Sequence, residues 1–116
     1  MLKYLLSAII LSLFITGCSF KSEAHLKFEK DKLVHDLYLL KECRIESTKK
    51  LDDGISSVEI IAQAVINDCQ KSSQYVINNN MQDKSESFRQ SFTQDMNGVK
   101  TSGVLGMILK HRSQNK

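Results

Sequence analysis

Proline is absent from the 116 residues. That removes the rigid punctuation on which all-β domains often rely and leaves helices uninterrupted. Catalytic patterns are missing too. No Gly-x-Ser-x-Gly turn occurs to present a nucleophile to a base and its orienting partner. Gly98 to Gly103 keeps the glycine spacing of a phosphate loop, but Val104 stands where lysine is required and no strand-like run precedes it. Asp52-Asp53-Gly54 fails as a calcium loop, because with Gly54 at position six the ligand positions one, three and twelve are Lys49, Leu51 and Ile60. His25, His35 and His111 share no i, i+4 spacing and read as surface or partly packed side chains, not metal ligands. Sixteen basic residues against thirteen acidic ones give a formal charge of +3, which is no nucleic-acid-binding balance. No repeat is visible, and no low-complexity run exceeds Asn78-Asn79-Asn80. The expectation is therefore a non-enzymatic protein with no cofactor, metal, nucleic acid or small-molecule substrate.

What is present centres on residues 43–69. Ser56 and Glu59 have the spacing of a capping box, and Ile55 and Ile60 that of a hydrophobic staple, so a helix is expected from about Ser57. Gly54 accepts a left-handed backbone and marks the end of a preceding helix over Ala24 to Leu51. Two helices joined so closely must lie antiparallel. Val58, Ile61, Ala62, Val65, Cys69 and Val76 form one face of the second helix. Cys43 follows Leu39 and Leu40 by one turn in the first. The charges of that first helix alternate in sign and describe a solvated face.

At the N-terminus, Lys3 precedes an apolar run from Tyr4 to Phe14, which ends in Ile15-Thr16-Gly17-Cys18. Eleven helical residues span roughly half of the ~30 Å hydrocarbon core, so the run reads as a cleaved export signal over residues 1–17. The aliphatic, small, Gly, Cys order resembles the lipobox of bacterial lipoproteins. The resemblance implies cleavage before Cys18, diacylglycerol on its thiol, and a membrane anchor of several acyl chains through a tether over residues 18–23. In lipoproteins of the enterobacterial sorting type, Ser19 after the lipidated cysteine implies the outer membrane, with the protein facing the periplasm. The part after the signal, 99 residues with a formal side-chain charge of +2, suffices for one small domain.

Lipidation of Cys18 leaves Cys43 and Cys69 as an even pair in an exported chain, where a disulfide is the default use. Zinc competes for paired cysteines, but no histidine pattern completes its tetrahedron. A redox pair would instead favour Cys-x-x-Cys at a helix N-terminus.

Further on, Asp83 and Glu86 repeat the cap spacing, and Phe88, Phe92 and Met96 follow as a stripe closed by Gly98, which predicts a third helix over 83–97. In the segment 101–116, Val104, Leu105, Ile108 and Leu109 form an apolar strip. Lys110, His111 and Arg112 add cationic character, and no acid follows Asp95. Either a short helix docks on the core with cations at its C-terminus, or Val104, Leu105, Ile108, Leu109, Lys110 and Arg112 contact an anionic membrane or a partner groove.

The pattern Cys43, Leu51-Asp52-Asp53-Gly54-x-Ser56, Ile61-Ala62-x-Ala64-Val65, Cys69 resembles a motif of small Gram-negative envelope proteins that carry no assigned activity. In design the chain is also similar to secretin pilotins, small disulfide-bonded helical lipoproteins that hold a secretin tail in a helical groove. The final Lys116 resembles the peptidoglycan-linked terminus of murein lipoprotein, although that family is a single heptad coiled coil. The expected fold is all-α: a disulfide-linked antiparallel hairpin over 24–80 with one or two additional short helices. The expected role is that of an envelope interaction or assembly-accessory lipoprotein. The alternative is a membrane-active or exclusion factor of phage or plasmid origin acting through the basic tail.

Overall fold

The computed structural model describes the backbone of residues 2–115 and the side chains of residues 26–115. The signal over residues 1–17 and the lipidation of Cys18 rest on side chains outside that range. The chain divides into two compact units, Met1–Lys32 and Leu33–Lys116. Among the described residues every regular element is helical: α1 (Leu2–Leu51), α2 (Val58–Asp68), α3 (Gln70–Asn80), α4 (Glu86–Asn97) and α5 (Val104–Gln114). The first helix does not begin at Ala24, and the tether expected over residues 18–23 has helical backbone. No proline, and no glycine after Gly17, lies there to end a helix.

Within the second unit, α1 and the α2–α3 pair form the antiparallel hairpin. Contacts run in opposite directions along the two arms: Asp36 with Asn80, Cys43 with Cys69, and Ser47 and Lys50 with Asp68. The Cys43–Cys69 disulfide has a Cα–Cα separation of 6.0 Å, an ordinary span for such a bond.

The second arm is broken where one continuous helix was expected. Cys69 leaves helical geometry (φ −98°, ψ 19°), although its N–H still donates to the Val65 carbonyl and its own carbonyl accepts from Ser73 N–H. The break is a one-residue kink at the disulfide, and it turns α3 toward a different neighbour from α2. Ile61, Ala62, Val65 and Ile66 of α2 pack with Val104 and Ile108 of α5, whereas Val76 of α3 joins Leu40, Cys69 and Met96. The described residues of the second unit thus form two cores, one against α5 and one against α4.

The turn between the arms differs from the expected capping arrangement. Ser57, not Ser56, caps α2 by accepting from Ile60 N–H. Ser56 instead donates through Oγ (2.5 Å) and N–H (2.8 Å) to the Asp53 carboxylate, which also accepts from Ile55 N–H. These bonds hold Asp53 low, to about 2, with the Ser56 hydroxyl as the largest cause. Ile55 and Ile60 are 90% and 64% exposed, so the staple is not made. The reason is local competition: an aspartate side chain can bond the backbone two and three residues on, and it took Ser56 from the helix end. Gly54 has the left-handed backbone (φ +71°) that this turn requires.

The third helix starts at Glu86, capped by Ser85 instead of Asp83. Met96 is buried, Phe92 half-buried, and Phe88 stacks on Phe92 at 6.3 Å while remaining about half exposed.

Candidate functional site

The six residues expected to form an outward contact surface divide sharply. Val104 and Ile108 are fully buried, and Leu105 packs against the same α2–α5 core. Val104 and Ile108 cannot meet a partner from those positions, while Leu105 is half-buried. The cause is the α2 face, which offers apolar surface where the strip would otherwise face solvent. Leu109 and Lys110 remain exposed.

Arg112 turns back to the hairpin end. Its Nε and Nη2 donate to the Asp52 carboxylate (2.9–3.3 Å), and Nη2 also donates to the Ser56 carbonyl oxygen at 2.6 Å. His111 Nδ1 lies 3.0 Å from the other Asp52 oxygen. The Asp52 side chain is only 1% exposed, against 23% for Arg112 and 25% for His111. The Arg112 hydrogen bonds first, then His111, hold the Asp52 carboxyl well below the usual carboxylate range, and Arg112 is raised in return. A carboxylate so firmly ionised only accepts, so His111 carries its proton on Nδ1. Every oxygen of this cluster has a donor. Its geometry is that of a clamp joining α5 to the α1–α2 turn.

A second basic group is held differently. Arg44, on α1 one residue after Cys43, is 5% exposed. Nη2 donates to the Met96 carbonyl at 2.7 Å, but Nε is sealed from solvent without a partner. Among the described residues Arg44 has no ion pair, and burial alone lowers its pKa. The helix above it is fixed by Thr48, whose hydroxyl donates to the Arg44 carbonyl.

Arg44 lines a cavity of about 510 Å³ bounded by α1, α4, the α4–α5 turn and Met107 of α5. A second cavity of about 350 Å³ continues between α1 and α5, sharing Lys41 and Met107 with the first. Lys41, Lys49, Lys110 and His111 stand around this second space, and no acid lines it. Together the two spaces make a groove along one face of α1 that is apolar at one end and cationic at the other.

Neither Arg44 nor the Asp52 clamp was expected from sequence. Arg44 occupies the next position of the Leu33, Leu37, Leu40 stripe at i, i+4, i+7 and i+11, and an arginine in register with an apolar stripe is the signal that marks it. The clamp joins residues sixty apart, and no local pattern encodes it. Cys18 lies outside the described side chains. Among the described residues, no group of His, Cys, Asp or Glu is arranged to hold a metal ion, and no helix is long and apolar enough to cross a membrane. No protein-family model, curated protein or solved structure matches this chain.

Proposed function

We infer that the protein is a lipid-anchored component of a bacterial envelope, attached through Cys18 at the outer membrane and facing the periplasm, that acts by binding another envelope protein. The observation that carries the binding role is the groove between α1 and α5. Lys41, Lys49 and Lys110 surround it and no acid lines it, the one ion pair among these lysines in the described residues being the exposed Lys49–Glu46 contact at 3.4 Å, and the exposed Leu109 and Lys110 lie on the helix that forms its wall. An acidic amphipathic segment would find there both apolar contact and charge complementarity, the combination that guides encounter and register. The Cys43–Cys69 bond suits an oxidising compartment. The Ile15-Thr16-Gly17-Cys18 sequence supplies the anchor. The tail-only alternative has less support, because Val104, Ile108 and Arg112 are engaged in the fold.

Two measurements test the two halves separately. Intact mass of the protein extracted from membranes should show loss of residues 1–17 and added acyl mass at Cys18; an unmodified chain removes the anchor. Photocrosslinking from Leu109 in intact cells should trap a discrete partner, and Lys49→Glu with Lys110→Glu should abolish the adduct while leaving helicity unchanged. Persistence of the adduct in that variant would place the contact surface elsewhere.

A further inference from the structure

The apolar end of the groove carries a feature that partner docking does not use. Leu37, Leu40, Phe92, Met96 and Met107 provide hydrocarbon walls, and the guanidinium of Arg44 stands among them. Taking a cation out of water costs several kcal/mol unless an opposite charge or full hydrogen bonding compensates it. Among the described residues Arg44 has one hydrogen-bond partner, the Met96 carbonyl oxygen, and no ion pair. By contrast, Arg112 has a carboxylate, a carbonyl and a histidine neighbour at the same cluster. A space of about 510 Å³ lies within the ~300–1,000 Å³ of small-molecule sites, which are characteristically apolar with few polar anchors.

We propose that this cavity is a binding site for a long-chain alkyl monocarboxylate, its tail along the Leu37, Leu40, Phe92, Met96 and Met107 walls and its head on the Arg44 guanidinium. The occupant's charge follows from the lining. Lys41 and Arg44 are opposed by Asp95, leaving one excess positive charge. A single carboxylate balances it, whereas a doubly charged phosphate head would be set against Asp95 with one negative charge in excess. The tail follows from Leu37, Leu40, Phe92, Met96 and Met107, which make up the apolar part of the lining. Because Nε is sealed, the carboxylate meets the end of the guanidinium that borders the cavity, and the delocalised charge acts through it. The site depends neither on the anchor at Cys18 nor on a protein partner.

The test uses the purified full chain with its disulfide intact and a fluorescent polyene carboxylate as reporter, displaced in turn by palmitate, hexadecanol and hexadecyl phosphate. Palmitate should displace the reporter saturably at one site per chain, with hexadecanol and hexadecyl phosphate each at least tenfold weaker, a factor equal to about 1.4 kcal/mol. Arg44→Met should weaken palmitate at least tenfold and erase the preference for acid over alcohol, while Arg44→Lys retains that preference. Circular dichroism and the absence of free thiols confirm that each variant is folded. The acid–alcohol comparison on the unaltered chain needs no variant. Equal displacement by palmitate and hexadecanol, absence of saturable binding, or a preference for acid that survives Arg44→Met would each overturn the proposal. Tighter binding of hexadecyl phosphate would overturn the assignment to a monocarboxylate.

Discussion

Two arginines in one small domain, Arg44 buried and Arg112 half-buried, show two ways of holding a cation against the fold. Arg112 closes on Asp52 with a geometry that satisfies the carboxylate from both sides, and His111 and the Ser56 carbonyl complete the set. Arg44 reaches a single carbonyl and leaves Nε without a partner. The first arrangement fastens helices together. The second places charge beside an apolar cavity, where it favours an anion from outside the chain. A satisfied buried network stabilises and specifies a structure, while a half-satisfied one carries a cost that function must justify. The contrast separates the part of the molecule that holds the fold from the part that is free to bind.

The disulfide is the strongest lever on that contrast, since Cys43 is the residue before Arg44 and fixes the register of α1 between the two sites. Replacing both Cys43 and Cys69 with serine should lower the unfolding free energy by about 3.5 kcal/mol on the chain-entropy account of a 27-residue loop. Urea denaturation of the two proteins measures it. A loss below 1 kcal/mol would mean that the two cores hold the hairpin without the bond.

Next comes the clamp. Asp52→Ala removes the carboxylate that Arg112 and His111 share and leaves two basic groups side by side. A buried pair broken on one side costs about 3–5 kcal/mol, and the partial exposure of Arg112 and His111 reduces that to roughly 2 kcal/mol here. The effect should fall on α5, so hydrogen exchange of residues 104–114 should accelerate more than exchange in α3. Uniform acceleration would show that α5 is held by Val104 and Ile108 alone.

The same clamp has a pH signature. Asp52 is held below its ordinary value of 3.8, Asp68 likewise through the Ser47 hydroxyl and then Lys50, and Asp53 is brought to about 2. Depressed carboxyls stabilise the fold fully above their ordinary value and lose that contribution as pH falls toward the folded-state value. Stability should therefore hold steady from pH 7 to about 5 and decline from near pH 4 downward, passing through pH 2. Asp52→Ala should make the decline shallower. An unchanged slope in that variant would assign the acid sensitivity to Asp53 and Asp68.

Gly98 tests the turn that carries one wall of the cavity. A Cβ there would stand 2.9 Å from the Gln94 carbonyl oxygen and would press on the Thr101 hydroxyl, which donates to the Asp95 carbonyl. Gly98→Ala should cost about 1.5 kcal/mol, within the ordinary range for overpacking. It should also reduce reporter binding at the Arg44 cavity, through displacement of Thr101 and Asp95.

Much of the architecture was legible from local signals. The helical periodicity of Val58 to Val76 and the stripe ending at Met96 named the elements, and the closeness of two helices across Gly54 dictated the antiparallel hairpin. What escaped was competition between neighbours of similar merit. Ser56 was expected to cap α2, but the Asp53 carboxylate engages it and the adjacent Ser57 takes the cap. Spacing alone gave no sign of the kink at Cys69, since its backbone bonds on both sides remain helical. The α5 strip had two plausible destinations, and only the α2 face, distant in sequence, selected one. The partners of Arg44 and Arg112 lie fifty or more residues away, beyond the reach of any local pattern.

The smallest expected effect is the most discriminating. Arg44→Met removes a buried unpaired cation and keeps a flexible apolar chain of similar length in the space. The Met96 carbonyl loses its donor, which costs on the order of 1 kcal/mol, while removal of the desolvated charge returns a comparable amount. The net change should lie within about 1 kcal/mol of zero and can be favourable, in direct contrast to Asp52→Ala at the satisfied site. Paired urea melts of the two variants against the unaltered chain give the comparison. Near-neutral stability with lost carboxylate binding would mark Arg44 as a residue kept for its ligand. A destabilisation as large as that of Asp52→Ala would instead make the Arg44–Met96 bond a second clamp, tying α1 to α4, and the difference between the two arginines would then be one of geometry alone.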